Sequence, residues 1–268
     1  MGAKETGNYI YNEKIRSEKI HETMEKFSNL PYKQGKYESR HWGNKRHQLC
    51  SYPSKITPSI AYHLVKHFTD RGDIVLDPLA GAGTIPLEAC LNGRIGIGSD
   101  LSPLAYHITN AKVNVQKKSK VSAKIEDLKD FIETSKLDKI VLEETEDEIK
   151  EFFHERTLRE IIKARKYLNN IKDSPTHSLL FASISHILHG NRPYALSRRS
   201  HNVIPIPPKG EFKYESLINS LTDKVERFFK SQLPMDFKEG KAFQQNILDF
   251  SKSPAAKRKR PQNRPVLC

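Results

Sequence analysis

The chain has 268 residues with 45 basic and 32 acidic side chains, a formal net charge of +13; that length suffices for an ordinary core without disulfides or metal, and the charge favours nucleic-acid contact. Three widely spaced cysteines, Cys50, Cys90 and Cys268, argue against a disulfide framework and for a reducing, cytoplasmic setting. A polar start without an apolar signal core, and no run near the roughly 18 apolar residues of a membrane span, set aside the secreted and membrane classes.

Residues 1–48 are polar and charged, with a helix expected from Asn12 to Phe27 and a loop rich in Tyr, Lys and Arg after it. From Thr57 to Phe68, Pro58 falls in the first turn and Ile60, Leu64, Val65 and Phe68 recur at helical spacing, which predicts an amphipathic helix. Asp73 to Leu76 reads as a short buried strand, followed by a Gly-rich turn and a helix from Ile85 that Gly93 ends. A second strand is predicted at Arg94 to Ser99. Ser102 as N-cap and Pro103 at the first helical position then open a helix whose Leu104, Ile108 and Ala111 share a face. Residues 49–115 thus form a βαβα unit.

Residues 116–240 read as an all-helical insertion. Helical periodicity runs from Val115 to Leu168, with Glu143 to Glu151 as a solvated face. A helix from Thr176 to Leu188, a Pro-rich loop from Gly190 to Gly210 and a helix from Tyr214 to Leu233 follow. Segment 241–250 is expected to hold a third strand, Lys241 to Ile247. Residues 251–268 read as a basic, disordered tail, whose six basic residues and no acid leave +7 for the rest.

The densest signal is Val75-Leu76-Asp77-Pro78-Leu79-Ala80-Gly81-Ala82-Gly83-Thr84. A buried strand delivers an acid at its C-terminal end, and two glycines let the backbone pass close to a ligand before the next helix starts. A dinucleotide site would want a third glycine where Pro86 stands, so a nicotinamide cofactor is disfavoured. Asp100 closes the second strand twenty-three residues after Asp77, where an acid accepts hydrogen bonds from ribose hydroxyls. Asp77 is left to meet a cationic amino group. S-adenosylmethionine (SAM) carries both groups.

This stretch resembles the SAM motif of DNA methyltransferases that act on exocyclic amino groups, adenine N6 or cytosine N4, commonly Asp-Pro-Phe-x-Gly-x-Gly-Thr, with Leu79 in place of Phe. Tyr52-Pro53-Ser54-Lys55-Ile56-Thr57-Pro58 resembles that family's other SAM segment, which lies beside the methionine end of the cofactor. The resemblance implies an α/β fold: a Rossmann-like SAM-dependent methyltransferase sheet, incomplete as far as this chain goes, with the helical insertion attached. It implies cofactor contacts from Lys55, Asp77, Pro78, Gly81, Gly83, Thr84 and Asp100, and from Asn246, where the family usually has Asp beside the adenine ring. DNA is the implied partner, in the setting of a restriction-modification system.

The family holds its target amine with Asp, Asn or Ser followed by Pro-Pro and an aromatic residue, and no such tetrad occurs in the 268 residues. Asn191-Arg192-Pro193-Tyr194 comes nearest, making Asn191 and Tyr194 the weak catalytic candidates. A truncated enzyme, or one part of a split enzyme completed by a second polypeptide, is therefore expected. Ser174 to Gly210 contains no acid, and its Arg192, Arg198, Arg199 and Lys209 are the candidate DNA contacts. No metal site is expected, since His186 and His189, one turn apart, have no Cys or acid near them in sequence. Two other readings stay open: an RNA guanine-N2 methyltransferase, whose Gly-rich turn continues much like Gly83-Thr84-Ile85-Pro86-Leu87-Glu88-Ala89, and a non-catalytic SAM- and DNA-binding subunit.

Overall fold

The computed structural model describes residues 18, 20–32, 34–39, 42–136, 145–188, 190, 194–199, 207–246 and 248–249. Its sheet has three parallel strands, β1 (Ile74–Asp77), β2 (Ile95–Asp100) and β3 (Lys241–Gln244), in the order β1-β2-β3. Ile74 pairs with Ile95 and Asp77 with Gly98, while Ile97 pairs with Lys241 and Asp100 with Gln244. β2 is therefore central. Parallel neighbours need crossovers, supplied by α3 (Thr84–Leu91) between β1 and β2, and by α4 (Pro103–Val113) with the helices that follow between β2 and β3. Ahead of the sheet lie α1, residues 20–28, and α2 (Pro58–Phe68), which packs on α3.

Two glycines in β2 set how closely the helices approach. A Cβ on Gly96 would stand 2.1 Å from the Pro86 carbonyl oxygen in α3, and one on Gly98 would stand 2.7 Å from Thr109 Cγ2 in α4. Both helices thus lie against bare backbone.

Of the remaining helices, α5 (Lys118–Thr134), α6 (Glu155–Asn170), α7 (Pro175–Leu188) and α8 (Leu217–Phe229), α7 packs on α4, α5 and α8 pack on α7, and α6 packs on α5 and α8. Val121, Ile125, Leu128 and Ile132 recur on one face of α5 and are buried. They join Ile108 and Ala111 of α4, Leu179, Leu180 and Ile187 of α7, and Leu217, Leu221, Val225 and Phe228 of α8 in one cluster that also takes in Leu49 and Cys50. A smaller cluster of Val65, Val75 and Ala89 joins α2, β1 and α3. No described helix is long and apolar enough to cross a membrane.

Several boundaries differ from expectation, each for a local reason. β1 starts at Ile74 because the Asp73 carboxylate turns back to accept the Asp70 amide at 2.8 Å. The helix expected over Tyr214 to Leu233 is shorter at both ends. Tyr214 donates its hydroxyl to Glu160 at 2.7 Å, Glu215 is bonded to Thr157 through both backbone groups, and Ser216 caps the helix. At the other end Pro234 disfavours helical backbone at Leu233. In the charged segment only a single turn, Asp147–Lys150, forms among residues 145–151. The third strand stops at Gln244, short of the expected Ile247, which lies outside the described residues together with 250–268 and with residues 12–17 and 19 of the expected N-terminal helix.

Beneath the sheet, Glu88 of α3 and His47 are buried and meet at 2.7 Å. Burial pushes the Glu88 carboxyl up to about 8, against the pull of the Asn92 amide, and holds His47 well below its usual range. The pair is thus neutral near pH 7. Because the folded chain binds the Glu88 proton more tightly than the unfolded chain does, the Glu88 contribution to stability falls as pH rises from 4.5 toward about 8, while His47, neutral when folded, contributes in the opposite sense below 6.5. Lys112, held by burial at about 7 instead of 10.5, works in the opposite direction above pH 7. Glu88→Gln keeps the neutral shape and should remove that downward contribution, so that below pH 7 its stability changes with pH by a more positive slope than the wild type's, measured by urea unfolding as a function of pH. An unchanged slope would show that another group sets it.

Candidate functional site

Asp77 and Asp100 are the last residues of β1 and β2, and the turn between β1 and α3 folds back over the end of β2. Asp100 organises that turn. Its Oδ2 accepts the Gly81 amide at 2.8 Å and its Oδ1 accepts the Ser102 amide at 2.9 Å, while Ala80 N donates to Ser99 O at 2.9 Å. Asp77 Oδ1 accepts the Leu79 amide at 3.2 Å. Burial raises the Asp77 pKa against the pull of the Leu79 amide, and the negative charge of Asp100 adds to the rise. Two carboxylates in this relation favour a ligand that brings positive charge and donors.

Gly81 (φ +46°) and Gly83 (φ +64°) both take left-handed backbone, and Gly83 caps α3. Gly83 has no room for a side chain, since a Cβ would lie 2.5 Å from Thr109 Oγ1. Opposite Gly81 stands the Tyr52 ring, whose Cε1 would be 3.1 Å from a Cβ there. Two segments some thirty residues apart in sequence are thereby brought into contact. The turn is held from below by Lys112, fully buried, which donates to Ala82 O at 2.6 Å. Nothing in the sequence pointed to that lysine. Pro78 is half-buried, and the buried Thr84 Oγ1 has no hydrogen-bond partner among the described residues.

Lys55 donates to His47 O at 2.7 Å, which orients it along the Tyr52 segment, and burial lowers its pKa. At the end of β3, Gln245 N donates to Asp100 O at 3.0 Å, and its buried Nε2 has no partner among the described residues. Asn246 is exposed, with Oδ1 accepting the Leu248 amide at 3.0 Å. Leu79 and Leu101, 74 % and 68 % exposed, present apolar side chains just past β1 and β2. This crevice suits a ligand with apolar surface, a cation and several donors.

On the far side of the Tyr52 segment is a cavity of about 900 Å³ whose walls include Lys45, Lys55, Lys224, Arg227, Lys230 and His186 and, among the described residues, no acid. Neither Asp77 nor Asp100 lines it, so the two sites share only the Tyr52 to Pro58 wall. The three cations of α8 and its C-cap were not singled out by sequence because they are spaced along a helix read only as amphipathic. Tyr194, one of the two catalytic candidates, lines this cavity; its ring stacks on His186 at 5.8 Å and lies 4.6 Å from the Arg227 guanidinium. Asn191 and Arg192 lie outside the described residues. Arg198 donates to Gly210 O and Glu151 O and covers the Phe212 ring, so it holds its own loop. Arg199 and Lys209 face each other across an antiparallel bridge.

The DNA methylase family matches residues 3–111. The Type II methyltransferase M.MjaII of Methanocaldococcus jannaschii is 31% identical over 78 residues, which amount to 28% of this chain and 15% of that protein's length. No solved structure matches the chain. The family match takes in the Tyr52 segment, the Gly-rich turn and both strand-end acids, and it begins within the N-terminal stretch to which no role could be read. Residues 3–111 are thus similar to the DNA methylase family, and part of the chain is similar to a Type II methyltransferase.

Proposed function

We propose that the crevice at the ends of β1 and β2 binds SAM, in a Rossmann-like arrangement, and that the chain serves methylation of an amino group of adenine or cytosine in DNA. The observation that carries this reading is the seating of Tyr52 on Gly81 while the Gly81 amide is held by Asp100. It joins both cofactor segments at one point. When bound, SAM supplies an electrophilic methyl group on a sulfonium. Asp100 faces the ribose hydroxyls, Asp77 the amino group, and Gln245 Nε2 supplies a donor beside them. Thr84 Oγ1 is a spare hydroxyl at the helix start, Gly81 and Gly83 allow close approach, and Pro78 shapes the strand exit. Lys55 positions the Tyr52 wall, and Asn246, its side chain engaged in its own turn, is a weaker contact than Gln245.

Methylating an aromatic amine requires acceptors that raise the nucleophilicity of the nitrogen and an aromatic face for the extruded base. The polar-Pro-Pro-aromatic tetrad that supplies both is absent from the 268 residues. Among the described residues β1 pairs with β2 alone, leaving its other edge as a place for a further strand. We assign that strand to a segment outside these 268 residues, whether on the same polypeptide or, as in a split restriction-modification methyltransferase, on a second one. Arg199, Lys209 and the basic cavity then contact phosphates.

The test is incubation with tritiated SAM and mixed-sequence DNA, first alone and then with a polypeptide bearing the tetrad encoded beside this one. Methyl transfer is expected only on mixing. Robust incorporation by the chain alone would overturn the split reading and turn attention to Asn191 and Tyr194, and transfer to structured RNA instead of DNA would overturn the substrate assignment.

A further inference from the structure

We propose that His107, Asp173 and His177 form a binding site for a divalent transition metal of the zinc type, tying α4 to the start of α7. Each offers a ligand atom, and the three atoms lie within 4.8 Å of one another. The residues come from two places: His107 from the second turn of α4, and Asp173 and His177, four apart, from the loop before α7 and its first turn. Two imidazoles and one carboxylate are the donor set that suits zinc and disfavours magnesium or calcium.

The spacing is close to what a metal needs. Bonds of about 2.0–2.2 Å in a tetrahedron put neighbouring ligand atoms about 3.4 Å apart, and His177 Nδ1 already stands 3.2 Å from Asp173 Oδ1. The rings of His107 and His177 meet edge to face with centroids 4.9 Å apart. The His107 ligand atom, within 4.8 Å of the other two, would have to move closer to complete the set.

The supporting contacts also match a metal site, where outer partners orient the ligands. Ser178 Oγ lies 3.0 Å from His107 Nδ1 and accepts from Asn110 at 2.9 Å, while the Tyr106 hydroxyl donates to Asp173 Oδ2 at 2.6 Å. Phe181, its centroid 4.3 Å from that of His107, forms an apolar wall. The imidazoles are buried, at 9 % and 8 % exposure, whereas the Asp173 side chain is 49 % exposed and leaves an entry from solvent. Three protein ligands leave a fourth position for water. The site involves neither Asp77 nor Asp100, so it stands apart from the cofactor reading.

The experiment uses the full, untagged chain stripped with chelator, titrated with Zn²⁺ in competition with a chromophoric chelator, and with Co²⁺ to read coordination from its visible spectrum. Expected are one equivalent bound, a tetrahedral Co²⁺ spectrum, and a thermal midpoint that rises with Zn²⁺ but not Mg²⁺. Asp173→Asn, at an exposed position, and His177→Gln should each weaken binding at least tenfold and abolish the rise, with circular dichroism confirming that both fold. Absence of one-equivalent binding by the wild type, or undiminished binding by both folded variants, would overturn the proposal.

Discussion

Gly96→Ala is expected to lower the urea-unfolding midpoint more than any other substitution at a described glycine in the sheet. The new Cβ would stand 2.1 Å from Pro86 O, 2.7 Å from Pro86 C and 2.8 Å from Pro86 Cα, all backbone atoms of α3. No side chain can rotate out of the way. Gly96 cannot retreat either, because it is paired with Val75 in the sheet. The overlap must be relieved by lifting α3 off β2, which also disturbs the Gly-rich turn at the start of α3. Overpacking of a tight core costs about 1–3 kcal/mol and more where backbone must move, against a total stability of about 5–15 kcal/mol. Gly35→Ala serves as the control, since it has left-handed backbone (φ +55°) but nothing within 4 Å of the added Cβ; its cost is confined to about 1–2 kcal/mol of conformational preference. Urea unfolding followed by circular dichroism compares them. Equal midpoints would show that α3 does not lie on β2 as closely as described.

Asp100→Ala is expected to have the largest effect on the cofactor site, exceeding that of Asp77→Ala. Asp100 performs two tasks: it accepts the amides of Gly81 and Ser102, and it faces the ligand. Asp77 accepts only the more distant Leu79 amide. Losing a charge-assisted hydrogen bond to the ligand costs roughly 1.5–3 kcal/mol, or about tenfold or more in affinity. Removal of Asp100 adds the disorder of the turn to that loss. Asp100→Asn retains an acceptor for one amide and should fall between wild type and Asp100→Ala, as measured by calorimetric titration of SAM. Equal losses for Asn and Ala would mean that the carboxylate charge, and not the held turn, is what matters.

The parts of this site that could be read from the sequence are those written contiguously. Asp77 through Thr84 is a strand end, a turn and a helix start, and each residue's chemistry depends on its immediate neighbours; Ser102 and Pro103 announced α4 in the same way. What the sequence did not reveal depends on contacts across the chain. Lys112 belongs to a helix whose apolar face was read from Leu104, Ile108 and Ala111, and nothing in that pattern marks the lysine beside them, which is buried under Ala82. Tyr52 was noticed only within its segment, because its seating on Gly81 needs the fold. The late start of the helix predicted from Tyr214 has the same origin: Glu160 and Thr157, more than fifty residues earlier, hold Tyr214 and Glu215 out of it. His107, Asp173 and His177 are likewise brought together only by the packing of α4 on α7.

Equilibrium titration of tritiated SAM into the full chain and into the Asp77→Ala/Asp100→Ala double variant tests the cofactor assignment most directly, since it requires neither DNA nor the missing tetrad. Expected is saturable binding of one equivalent by the wild type and a loss in the double variant of more than about tenfold, beyond that of either single variant. Failure of the wild type to bind, or unchanged affinity in a double variant that circular dichroism shows to be folded, would contradict the placement of SAM at the ends of β1 and β2.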